Sequence, residues 1–204
     1  MISIRSVAVA CSLALFAAAP AFAKVAVGEA APAFTLTDSN GKSRSLDEFK
    51  GKTVVLEWTN AECPFVKKHY GSGNMQAQQK EAAAEGVVWL TVNSGAPGKQ
   101  GAVDGAGANA VIKSSGGAQA AYLLDPEGKV GHEYGAKTTP HMYVIDGEGK
   151  LRYMGGIDSI QSAEQADIPK ATQYVRQALT ELKSGKAVSV STSQPYGCSV
   201  KYGS

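Results

Sequence analysis

The segment TNAECPFVKKHY, residues 59–70, sets a cysteine directly after an apolar run and directly before a proline. Residues 54–58, VVLEW, read as a buried strand. Residues 64–84 are mostly helix formers, with Pro64 in the first turn, where its missing N–H does no harm. Cys63 is therefore expected where a strand hands over to a helix. Unpaired helix N–H groups and the positive end of the helix dipole favour a thiolate there. Thiolate is the nucleophile of both disulfide exchange and peroxide reduction. The competing expectation is a buried, inert cysteine.

Basic residues follow at Lys67, Lys68 and His69. A lysine one turn from a thiol lowers its pKa, and Lys67 is the candidate for that role. The same letters also describe a solvated helix face, the expectation for His69.

The remaining cysteines are Cys11 and Cys198. Residues 1–23 carry one arginine, then an apolar run interrupted by Pro20 and ending in Ala21-Phe22-Ala23. That is the pattern of a cleaved signal peptide, with no stop-transfer charges to make it a stable membrane anchor. Lipoprotein processing at Cys11 would need more apolar sequence before it. Cleavage after Ala23 sends the protein to the periplasm or outside the cell, and Cys11 leaves with the leader. Two cysteines then remain, Cys63 and Cys198, in a compartment where disulfides form.

The elements needed to position them follow from pattern. Residues 34–37 alternate like a strand, and residues 38–41 have hairpin-turn chemistry. Ser45 and Glu48 have capping-box spacing. Residues 87–92 form a second buried strand after a helix stopped by Gly86. Glycines concentrated between Gly95 and Gly117 indicate a long mobile loop, with a short helix at 106–114. Residues 122–124 read as a short strand, and 126–135 as a turn leading into a helical piece. Residues 142–145 and 151–154 flank a turn at Asp146-Gly147-Glu148-Gly149 and form a hairpin. Tyr174, Val175, Ala178, Leu179 and Leu182 mark a last helix over 168–182, and the tail from Val188 reads as polar and irregular. This alternation predicts an α/β three-layer sandwich with a central mixed sheet. The domain is expected at 24–186, with a C-terminal tail at 187–204 carrying Cys198. With a net charge of +2 and no lysine/arginine run longer than two, nucleic acid is excluded as a partner.

Five further stretches carry a resemblance. GEAAPAFTLTD at 28–38, LDEFKGKTVVL at 46–56, CPFVK at 63–67, Thr139-Pro140, and YVIDGEGKLRYMGGID at 143–158 resemble the redoxin (alkyl hydroperoxide reductase/thiol-specific antioxidant) branch of the thioredoxin-fold superfamily. PYGCSVKY at 195–202 resembles the close of its peroxiredoxin-like subgroup. Val66 stands where thioredoxins carry their second cysteine. Asn60 and Leu56 stand where peroxiredoxins carry threonine and proline. The resemblance implies a thioredoxin-like fold, a nucleophile at Cys63, and a cis-proline at Pro140. Its loop packs on that cysteine, leaving the backbone of Thr139 to pair with substrate. The partners so implied are a thiol or disulfide protein or a small peroxide, together with an external electron donor. No cofactor is called for.

Cys198 then has two open readings. It resolves a mixed disulfide or sulfenic acid at Cys63, or it forms a permanent staple worth about 5 kcal/mol on the chain-entropy account. A rival of another class is a binding module holding copper between the cysteines and His69, His132 or His141. No metal-ligand spacing in the chain supports it, so no metal site is assigned.

Overall fold

Five consecutive buried residues, Val54–Trp58, form the middle of the sheet, and their alternation decides which layer each side chain enters. Val54, Leu56 and Trp58 enter one core with Leu90, Val92, Tyr134 and Tyr143. Val55 enters the other with Met75, Trp89, Met142 and Val175. The computed structural model describes residues 25–203, so the expected leader at 1–23 lies outside the described residues.

In chain order the strands are β1 (Thr35–Asp38), β2 (Ser43–Ser45), β3 (Val54–Trp58), β4 (Val88–Asn93), β5 (Ala121–Leu124), β6 (Thr138–Thr139), β7 (His141–Ile145), β8 (Leu151–Gly155) and β9 (Cys198–Ser199). The helices are α1 (Pro64–Gly71), α2 (Asn74–Ala84), α3 (Gly105–Ser115), α4 (Lys129–Glu133) and α5 (Tyr174–Lys183). Seven strands make one sheet in the order β2-β1-β5-β4-β3-β7-β8. β3, β4 and β5 run parallel; β1, β2, β7 and β8 pair antiparallel. Side chains of α2 and α5 fill one core, and Val130 of α4 enters the other. The α/β, thioredoxin-like sandwich with a mixed sheet is therefore the observed architecture. Among the described residues, no helix is long and apolar enough to cross a membrane.

Several expected elements differ. The single helix over 64–84 is two helices, α1 and α2, parted at Ser72-Gly73, where Gly73 has φ of 77°. The sequence signal for that break is Gly71-Ser72-Gly73-Asn74, outweighed by the helix formers of the wider stretch. The helix expected over 168–182 begins as a 3-10 turn, Gln165–Lys170, around Pro169, and α5 starts only at Tyr174. The glycine-rich stretch is less of a loop than its composition suggests, because Asp104 caps α3 by accepting the Gly107 N–H at 2.8 Å.

The largest difference is the tail. Far from being irregular, it adds β9 antiparallel to β6. It is tied down along its length: the Ser191 carbonyl accepts the Met154 N–H at 3.1 Å, the Val200 N–H donates to Lys137 at 3.0 Å, and the Lys201 carbonyl accepts the Ala96 N–H at 2.8 Å.

Candidate active site

β3 ends at Trp58, and the chain turns through Asn60, whose side-chain oxygen accepts the Glu62 N–H at 2.9 Å while its carbonyl accepts the Cys63 N–H at 3.0 Å. That Asx turn delivers Cys63 as the N-terminal cap of α1, with Pro64 next. The thiol is fully buried. It donates to the Thr139 carbonyl at 3.1 Å, and the Cys198 N–H points at its sulfur from 3.4 Å. The Thr139–Pro140 peptide bond is cis. Cys63 and Cys198 both carry free thiols here.

The two thiols are not equivalent. Burial alone would raise the Cys63 pKa, yet hydrogen bonds from the Cys198 thiol, Thr139 and the Val66 and Cys198 backbone outweigh it and hold the group below the ordinary value. Val66 contributes as a free N–H of the first helical turn, the effect expected from the strand-to-helix position. Cys198 is pushed up to about 11 by burial and by the neighbouring Cys63. Cys63 is the thiol that ionises, and Cys198 is the thiol that stays protonated beside it.

The tail reaches this position because residue 197 is glycine. Gly197 has φ of 130°, and a Cβ there would overlap the Thr139 carbonyl. Thr139 then pairs with Cys198, and Thr138 with Ser199. Cys63, the Thr139-Pro140 pair and Cys198 are thus brought together from three places in the chain.

Lys67 is not. Its side chain is exposed, and the groups that lower the Cys63 thiol do not include it. The stabilisation expected of Lys67 comes instead from hydrogen bonds. On the helix, position 67 faces water while its neighbours Lys68 and His69 turn inward. Lys68 makes a fully buried ion pair with Asp158 at 3.3 Å. His69, expected on a solvated face, is buried, with Nδ1 2.9 Å from the Asn74 amide. His132 stacks on Tyr202, and His141 lies against Tyr143. None of the three histidines joins the cysteines, and among the described residues no cluster of three or more His, Cys, Asp or Glu could hold a metal.

Sequence reasoning also missed the buried acids Asp158 and Glu57. Asp158 appeared only as the end of a matching stretch. Glu57 lies inside β3, fully buried, and its carboxyl is raised to about 7 by burial. It accepts from Trp89 Nε1 at 2.9 Å and from Tyr70 Oη at 3.0 Å. The signal for Glu57 was present: one acid inside an otherwise apolar strand.

The chain is similar to several known proteins. It is 30% identical over 127 residues to the thiol-disulfide oxidoreductase ResA of Bacillus subtilis, a match spanning 62% of this chain and 65% of that protein's length. A 35-residue stretch, 17% of this chain and 16% of the relative, is 60% identical to a chloroplastic peroxiredoxin Q of Populus jackii. Among solved structures, an uncharacterized conserved protein of Geobacillus kaustophilus superposes with a TM-score of 0.77 and 27% identity, covering 87% of this chain and 93% of the other. The sequence profile of the AhpC/TSA family matches residues 27–154. That span takes in Cys63 and the cis bond and stops before Asp158 and the tail. More than half of the chain follows the profile, and the chain belongs to the AhpC/TSA family.

Proposed function

We propose that this protein is an exported thiol–disulfide oxidoreductase in which Cys63 attacks and Cys198 resolves. The observation that carries the reading is the Cys63–Cys198 pair itself. One thiol is lowered, the other is raised to about 11, and the Cys198 N–H lies 3.4 Å from the Cys63 sulfur.

The Cys63 thiolate attacks one sulfur of a partner's disulfide and expels the other as a thiolate, leaving a mixed disulfide. The charge that held Cys198 protonated is then gone, so its pKa relaxes downward. Cys198 loses its proton and attacks the Cys63 sulfur, which releases the partner as a thiol and closes a Cys63–Cys198 disulfide. Two electrons have passed to the partner, and an external dithiol restores both thiols. With a small peroxide as oxidant, Cys63 becomes a sulfenic acid, and Cys198 displaces water from it.

Disulfide exchange is favoured over peroxide reduction because a cysteine-bearing strand already lies in register on the Thr139 backbone, the place a partner's disulfide segment would take, and because Leu56 and Asn60 stand where peroxiredoxins carry proline and threonine. Export rests on residues 1–23 and their Ala-Phe-Ala end.

The test is thiol trapping of the mature protein, with and without oxidised glutathione or hydrogen peroxide, followed by mass spectrometry of the two cysteine peptides. A Cys63–Cys198 bond that forms with oxidant and opens with dithiol supports the reading. A bond that never opens makes the pair a staple.

A further inference from the structure

Cys198 reaches Cys63 on a tail that must keep its register to within one residue, and the feature that holds this register lies outside the thiol pair. Two residues before Cys198, Tyr196 enters a buried polar socket. Its hydroxyl donates to Asp158 Oδ1 and lies 3.4 Å from both Lys68 Nζ and His69 Nε2. The ring packs edge-on against Phe65 at 5.8 Å, with Lys68 Nζ 5.5 Å from the ring centre.

The socket has hydrogen-bonding capacity for one hydroxyl. Lys68 Nζ has three protons and three acceptors: Asp158 at 3.3 Å, the Ile160 carbonyl at 3.1 Å and Tyr196 at 3.4 Å. Asp158 Oδ2 takes Lys68, while Oδ1 takes the Ile160 N–H at 3.2 Å and the Tyr196 hydroxyl. A buried ion pair is tolerated when further hydrogen bonds satisfy its remaining sites, and Tyr196 supplies one to each partner. Phe65, Lys68 and His69 all belong to α1, the helix that Cys63 caps. The socket and the nucleophile are therefore parts of one rigid element. Only Gly197, fixed at φ of 130° against the Thr139 carbonyl, separates Tyr196 from Cys198, so a seated Tyr196 and the pairing of Cys198 with Thr139 belong to one register. A slip by one residue separates them.

We propose that Tyr196 is the positioning residue for the resolving step: its hydroxyl, seated between Lys68 and Asp158, sets the register that lays Cys198 on Cys63. This rests on the reading of Cys63 and Cys198 as a redox pair. The residue touches no substrate and acts through the thiol it places.

The experiment uses the full mature chain equilibrated in reduced and oxidised glutathione, with the fraction of Cys63–Cys198 bond read by mass spectrometry after acid quenching. Quenched time points also separate first attack on glutathione disulfide from resolution of the mixed disulfide. Tyr196→Phe removes one hydroxyl. It should lower the effective concentration of Cys198 toward Cys63 about tenfold, from a lost hydrogen bond to charged groups. Resolution should slow by a similar factor, while first attack does not slow. Insertion of one glycine after Gly197 keeps the socket filled and moves Cys198 out of register. It should impair resolution at least as much, with the unfolding midpoint nearly unchanged. A Tyr196→Phe protein that melts lower yet resolves at the wild-type rate and equilibrium overturns the proposal, as does an insertion variant that resolves normally. Failure of the wild-type chain to form the bond in any glutathione mixture overturns the redox pair itself, a distinct result.

Discussion

Thr139 serves both thiols at once: its carbonyl accepts the Cys63 S–H at 3.1 Å, and its backbone pairs with Cys198 in antiparallel register. The sheet edge beside the cis bond is thus occupied by the chain's own cysteine.

The two cysteine substitutions should differ in kind. Cys63→Ser should reduce disulfide exchange to background, since the nucleophile is gone. Cys198→Ser should allow the first attack and accumulate a mixed disulfide at Cys63, visible by intact mass after incubation with oxidised glutathione. If both variants only lose thermal stability, and neither traps an adduct, the pair is structural.

Gly197→Ala should detach β9, because a Cβ at that position meets the Thr139 carbonyl and the φ of 130° is strained for alanine. The expected cost is about 1–3 kcal/mol, and Cys198 should become accessible to alkylation in the folded protein. Comparison of iodoacetamide labelling rates with wild type checks this. Equal rates would mean that the backbone absorbs the methyl group.

Glu57 should make the protein less stable as pH rises. Its folded pKa is about 7 against an ordinary 4.5. Below 4.5 both states are protonated, and nothing is lost. Between 4.5 and 7 the unfolded chain releases the proton while the folded one keeps it, so stability falls through that window. The loss levels off above it at about 3 kcal/mol, an order of magnitude. Glu57→Gln keeps an acceptor for Trp89 and removes the ionisable proton. Its urea midpoints should show no such decline between pH 5 and 8.

The histidines act on the acid side. His69 is lowered to about 4 by burial, with Lys68 adding and Asp158 opposing, and His141 is lowered to about 4 by burial and Lys137. Above their ordinary 6.5 both are neutral in either state. As pH falls from 6.5 towards 4, only the unfolded chain takes up protons, so stability is lost across that window. His141→Gln should flatten part of the acid limb in pH-dependent melting; an unchanged limb would assign the loss to other groups.

Export predicts a mature protein that begins at Lys24. N-terminal sequencing of protein recovered from the periplasm or medium checks this directly, and a sequence starting at Met1 would contradict it.

The sheet was legible because its physics is local. Alternating or continuous apolar runs at 54–58, 88–92 and 142–145 carry their own burial pattern. The turn glycines and Pro64 mark where those runs end. Cys63 could be placed at the helix start from the order of residues alone, and with it the Val66 N–H, one of the smaller contributions to the lowered thiol pKa; the larger ones, from Cys198 and Thr139, come from the fold. The break at Gly73 had its signal in Gly71-Ser72-Gly73-Asn74, which the helix formers across the rest of 64–84 outweighed.

Tertiary structure decided what the tail is. Residues 188–203 have no apolar period, so nothing in their order says that they pack. Their structure comes from partners distant in the chain: Met154, Lys137 and Ala96 for the backbone, and the Lys68–Asp158 socket for Tyr196. It also decided between two adjacent lysines. Lys67 and Lys68 read alike in the sequence, but a helix turns about 100° per residue, so one faces water and the other a buried aspartate 90 positions away. Local pattern shows where a side chain can point; only the folded chain shows what waits for it there.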